Sequence, residues 1–221
     1  MTRPTDVAIP AEGITLEGTL SIPGHARGVV LFAHGSGSSR FSPRNRAVAA
    51  VLHDHGFATL LLDLLTPEEE RVDAYTAQLR FDVTMLARRV VAAVDWLAHA
   101  PDTTHLPLGC FGASTGAASA LIAAVERPEV VTAVVSRGGR PDLAGPVLAL
   151  VRAPTLLLVG GNDTPVIELN RRAMAQMRAE VRLEIVPGAT HLFEEPGTLD
   201  VVAALAAAWF ARFTSRAETA A

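Results

Sequence analysis

The chain alternates two kinds of hydrophobic pattern. A last strand is expected from 181, and short runs that are apolar at nearly every position occur at 28–33, from 57, from 108, from 131 and from 155. Such runs mark strands covered on both faces, as in parallel sheets. Between them lie stretches with apolar residues three and four apart. Ser42 and Pro43 offer an N-cap and first turn, Val48, Val51 and Leu52 a buried stripe, and Gly56 a stop. The stretch 81–100 places Val83, Leu86, Val90, Val94 and Leu97 on one helical face. Further helices are expected after residue 116, from Thr164 to about Glu180, and over 197–213. The opening 6–24 alternates apolar and polar around Gly13 and Gly18, which predicts an edge hairpin. The stretch 66–78 reads only as an acidic, polar crossing, and 215–221 as a frayed tail.

Strand and helix therefore alternate. The expected architecture is α/β: a doubly wound, mainly parallel sheet with helices on both faces. No linker, repeat or charge block divides the chain, so one domain over 1–221 is expected. The connection 136–154 is too short to house a cap domain. In such sheets ligands bind beyond the carboxyl ends of the strands, so the loops there carry the functional reading.

The run from 108 leads into Gly112-Ala113-Ser114-Thr115-Gly116 and then an alanine-rich helix. Strand, sharp turn and helix in that order expose the central serine at the tip of the turn. The plainer alternative is a Gly/Ser/Thr helix cap. A serine hydroxyl needs a base, and the base needs an orienting carboxylate. Asp163 follows the strand from 155, and His191 follows the strand from 181. Taken alone, Asp163 is equally a cap for the helix at Thr164, and His191 an ordinary loop histidine. Together the order Ser, Asp, His at three separate strand exits points to Ser114, His191 and Asp163 as a nucleophile–base–carboxylate relay.

Acyl chemistry also needs donors for a developing oxyanion. The Thr115 N–H, first after the nucleophile, is one. The glycine-rich loop His34-Gly35-Ser36-Gly37-Ser38-Ser39 suits the second, taken as the Ser36 N–H with Gly35 as its alternative. His34 is read as shaping that loop. Arg40 and Arg137 follow strand ends and are candidates for an anionic substrate group. The competing reading is surface solvation or pairing with acids such as Glu68 or Glu69.

Composition narrows the partners. A net charge of −4 lacks the basic face that nucleic acid requires. The start has no charged-then-apolar leader pattern, and the alanine-rich run near 201–210 is too short to span a bilayer. The expectation is a cytoplasmic protein acting on a small molecule, with no membrane or nucleic-acid partner. No metal and no cofactor are implied, and the sequence leaves the oligomeric state open. The single cysteine, Cys110, falls inside a strand and reads as core.

With HGSGSS at 34–39, GASTG at 112–116, GGND at 160–163 and GATHLF at 188–193, the chain resembles the α/β-hydrolase superfamily, in particular the dienelactone hydrolase-like family. It is also similar to hydrolase segments fused to phosphoribosyltransferase-like domains in some bacterial proteins. Dienelactone hydrolases proper carry a cysteine nucleophile, whereas this chain has Ser114 at that place. The resemblance thus implies an esterase cleaving small carboxylic esters or lactones through an acyl-enzyme. Acyl transfer or perhydrolysis on the same residues, and a non-catalytic binding domain on this fold, are the alternatives.

Overall fold

A computed structural model describes residues 3–213. The stretch 215–221, expected as a frayed tail, lies outside the described residues. Eight strands form one sheet: β1 (Arg3–Ala11), β2 (Ile14–Ile22), β3 (Gly28–Ala33), β4 (Phe57–Leu62), β5 (Leu108–Ala113), β6 (Val131–Arg137), β7 (Thr155–Gly160) and β8 (Val181–Val186). Their spatial order is β1-β2-β4-β3-β5-β6-β7-β8. The β1–β2 and β2–β4 pairs are antiparallel, and every other pair is parallel. β1 and β2 form the expected edge hairpin, with an alternating burial pattern along β2. β3, β4, β5 and β7 are buried at every position, which is why their sequences show no alternation.

The described residues form six helices: α1 (Pro43–Asp54), α2 (Pro67–Thr76), α3 (Val83–His99), α4 (Gly116–Glu126), α5 (Thr164–Met174) and α6 (Thr198–Phe213). α3 and α4 pack on one face of the sheet, where Val90, Val94, Leu97 and Leu121 join Leu31, Leu60 and Cys110. α1 and α6 cover the other, where Val48, Leu52, Val202 and Phe210 join Phe32, Phe111 and Val135. These two layers give the doubly wound arrangement, and no separate cap stands above the sheet among the described residues. No helix among the described residues is long and apolar enough to cross a membrane.

Two helices differ from expectation. The acidic crossing at 66–78 is largely helical, as α2. Thr66 and Glu69 form a reciprocal capping box and Pro67 occupies the first turn. Among its residues only Asp73 is buried, so no apolar stripe signalled the helix. Its anchors are polar instead. Glu69 binds Arg89 of α3 with both oxygens, at 2.6 and 2.7 Å, and Asp73 binds Arg80. α5 ends at Met174, short of Glu180; Ala175–Glu180 run on as turns into β8.

Between β6 and β7, residues Pro141–Leu150 form short 3₁₀ turns broken at Gly145, whose φ is 59°. That segment packs on α4 and α5.

Candidate active site

Ser114 sits directly after β5 with φ at 49°, a left-handed conformation that a residue with a Cβ rarely adopts. The turn is held from three sides. Its N–H donates to the Arg137 carbonyl (3.2 Å), and its carbonyl accepts the Ala117 (3.1 Å) and Arg140 (3.0 Å) N–H groups. The close approach of strand and helix demands glycine at 116, where a Cβ would lie 2.3 Å from the Ala33 carbonyl oxygen. Gly35 is similarly constrained: a Cβ there would meet the Ser114 Cβ at 2.9 Å. The loop after β3 therefore lies directly against the serine turn.

His191 is in the loop after β8, and its Nδ1 lies 2.6 Å from Asp163 Oδ2. The Asp163 side chain is 13% exposed and the imidazole 38%. A carboxylate this close to Nδ1 selects the tautomer with its proton there, leaving Nε2 as the acceptor. The two loops are laced together: Asn162 donates its N–H to Ala189 O at 2.9 Å and its side-chain amide to Gly188 O at 2.9 Å. Phe193, buried with φ at 56°, anchors the histidine loop in the core beneath α1 and α6. Asp163 heads α5 but makes no side-chain capping bond, so its carboxylate is spent on the ring.

The histidine loop reaches the serine turn through Gly138. A Cβ on that residue would lie 3.6 Å from His191 Cε1 and 3.0 Å from its carbonyl oxygen. The residue before it, Arg137, is the one that accepts the Ser114 N–H. Ser114 and His191 thus share a neighbour at the end of β6. Among the described residues no hydrogen bond joins the Ser114 hydroxyl to the ring, a link that tightens in many hydrolases only when substrate binds.

Of the expected oxyanion donors, the Thr115 N–H has no partner within the fold among the described residues. The Ser36 N–H donates to Thr115 Oγ1 at 3.1 Å. His34 is buried and bridges its own loop to β4: Nδ1 donates to Gly35 O (2.8 Å) and Nε2 accepts the Leu64 N–H (3.0 Å). It shapes the loop, as expected. A cavity of about 580 Å³ opens beside Ser36 and Thr115, with Phe41, Leu64, Leu65 and Leu86 on its apolar wall.

Of the two arginines offered for substrate anions, Arg40 is fully engaged in ion pairs and Arg137 is buried with a single side-chain bond among the described residues. Arg40 Nη1 bonds Glu17 at 2.6 Å and also Asp63, and its backbone N–H bonds Asp63 too. The competing partners Glu68 and Glu69 are bound elsewhere, to Arg71 and Arg89. Arg137 is 8% exposed and donates Nη2 to Asn45 Oδ1 at 3.2 Å. Asn45, in the first turn of α1, escaped the sequence reading because nothing distinguishes it from a capping residue. Cys110 lies in β5, and burial pushes its thiol up to about 12, which removes it as a nucleophile.

A mainly parallel sheet with a serine turn at β5 and a His–Asp pair at the exits of β8 and β7 defines an α/β-hydrolase. The sequence profile of the dienelactone hydrolase family matches residues 16–217, and the chain belongs to that family. The crystal structure of a dienelactone hydrolase from Anabaena variabilis is 58% identical, covers 96% of this chain and 99% of its own, and superposes with a TM-score of 0.95. Est1E from Butyrivibrio proteoclasticus, 16% identical over 96% of this chain and 99% of its own, shares the fold with a TM-score of 0.78. A Mycobacterium tuberculosis protein provisionally named a phosphoribosyl transferase is 58% identical over 208 residues. Those residues are 94% of this chain but 46% of that relative, so the chain spans about half its length. The family and these neighbours support a hydrolase.

Proposed function

We propose that the protein is a serine hydrolase that cleaves small carboxylic esters or lactones through an acyl-enzyme. His191 Nε2 takes the proton of Ser114 as its oxygen attacks the carbonyl carbon. The carbonyl electron pair moves onto oxygen, where the Thr115 N–H and the loop at Ser36 receive it. The same imidazole, now protonated, gives its proton to the leaving alkoxide. A water deprotonated by His191 then releases the acid. Asp163 orients the ring and stabilises its charged form. The observation that carries this reading is the His191–Asp163 bond at the rim that bears Ser114 at φ 49°.

The cavity and the absence of a cap above the described strands favour a small substrate over a long acyl chain. Within the mycobacterial relative, we assign hydrolysis to the shared region and leave the transferase of its name to the rest of that longer chain. In this proposal a single domain carries the whole reaction, which draws on no metal or cofactor.

The test is turnover of p-nitrophenyl acetate and butyrate by wild type and Ser114→Ala, with fluorophosphonate labelling of the intact fold. Loss of about a thousandfold or more in kcat is expected for the variant, with labelling confined to wild type. Equal rates for both proteins would remove Ser114 from the mechanism.

A further inference from the structure

Thr115 stands at the N-cap position of α4, where a threonine hydroxyl ordinarily accepts an N–H from the first helical turn. Here it makes no such bond. Its Oγ1 instead accepts the Ser36 N–H from the loop after β3, 79 residues away in the chain. A hydroxyl has one proton to donate, and no acceptor for the Thr115 proton exists among the described residues. Thr115 is 5% exposed and lines the cavity beside Ser36. The arrangement therefore spends the Ser36 amide on a side chain and leaves that side chain with an unused donor at the cavity wall.

We propose that the Thr115 hydroxyl is itself an oxyanion donor, polarised by the Ser36 N–H. This rests on the acyl-enzyme reading above and refines it. As the Ser114 oxygen bonds to the carbonyl carbon, the C=O π pair becomes a lone pair on oxygen. Thr115 then offers two donors from one residue, its backbone N–H and its O–H. The Ser36 amide contributes through the hydroxyl it binds, because a donor hydrogen-bonded at its own oxygen becomes a stronger donor. No proton leaves Thr115; the bond strengthens only as charge develops, so it acts on the transition state more than on the bound ester.

The experiment compares wild type, Thr115→Val, Thr115→Ser and Ser114→Ala on p-nitrophenyl butyrate. It also measures inhibition by a trifluoromethyl ketone, whose adduct carries the same charged oxygen, and the thermal melt of each protein. Thr115→Val is expected to lower kcat about a hundredfold with KM within about twofold, and to weaken the ketone by a similar factor. Thr115→Ser should stay within about threefold of wild type, since it keeps the hydroxyl. Wild-type kcat and ketone affinity in Thr115→Val would overturn the proposal, by showing that a freed Ser36 amide suffices. Equal losses in the serine and valine variants, or losses matched by a fall in melting temperature, would reduce Thr115 to packing. If Ser114→Ala retains full activity, both this proposal and the acyl-enzyme reading fall; if it is dead while Thr115→Val is active, only this one does.

Discussion

The imidazole of His34 accepts the backbone N–H of Leu64 through Nε2, at 3.0 Å, while its Nδ1 donates to Gly35 O at 2.8 Å. Both ring nitrogens are thereby committed to the neutral form, and the ring ties the loop beside Ser114 to the end of β4. Burial lowers the His34 pKa, against the opposing pull of the Gly35 carbonyl and of Asp63. A base whose folded pKa lies below its unfolded value contributes stability that is fully present above the unfolded pKa. That stability is lost as pH falls from about 6.5 toward the folded value. His53, lowered by burial and bonded to Thr59, acts in the same direction. Urea unfolding of wild type should therefore give a lower midpoint at pH 5 than at pH 8. In His34→Gln, where an amide oxygen replaces Nε2 as acceptor, that difference should shrink. An unchanged difference would show that His34 protonation is not what the acid side senses.

A carboxylate on Nδ1 orients the His191 ring and fixes its tautomer, and these two roles predict how Asp163 responds to substitution. Asp163→Asn keeps the shape, but its amide can donate to Nδ1 and turn the ring's acceptor away from Ser114. With the side chain of Asp163 only 13% exposed, water cannot readily replace the lost carboxylate. The expected outcome is a fall in kcat on p-nitrophenyl butyrate of about a thousandfold or more, with the melting temperature within a few degrees of wild type. A fall of tenfold or less would mean that another acid supports the ring.

Sequence and structure agree where burial is uniform. The Val29–Phe32 and Leu156–Val159 segments are apolar because both faces of the sheet are covered, and their exits carry Ser36 and Asp163 to the same rim that Ser114 reaches from β5 and His191 from β8. What the pattern could not convey was polar anchoring. α2 has no apolar face, yet Thr66, Pro67 and Glu69 spelled a capping box that could have revealed it. Arg40 looked free because its partners, Glu17 and Asp63, are distant in the chain and come together only through the β2–β4 pairing. The bond from Ser36 to Thr115 is likewise a tertiary contact, invisible to any local signal.

Arg137 is the opposite case, a buried cation with too few partners. Among the described residues its Nε and Nη1 find no acceptor, and its one side-chain bond is to a neutral amide, Asn45. Burial, and then the nearby Arg44 charge, push its pKa down to about 10. A guanidinium lowered this way is still charged at pH 7. Because the unfolded chain holds that proton more tightly, stability would grow only as pH rose above about 10, so at neutral pH the charge weighs against folding. Replacing the pair by apolar groups of similar size, Arg137→Met with Asn45→Leu, should therefore stabilise the fold by about 1–3 kcal/mol, roughly 3–10 °C in melting temperature. Asn45→Ala alone should lower it, since Arg137 then loses its remaining bond. Esterase assays on the double variant separate this burden from the anion-binding role expected of Arg137. A KM raised for anionic esters but not for neutral ones would assign it to substrate, and a melting temperature below wild type would refute the unpaired-charge account.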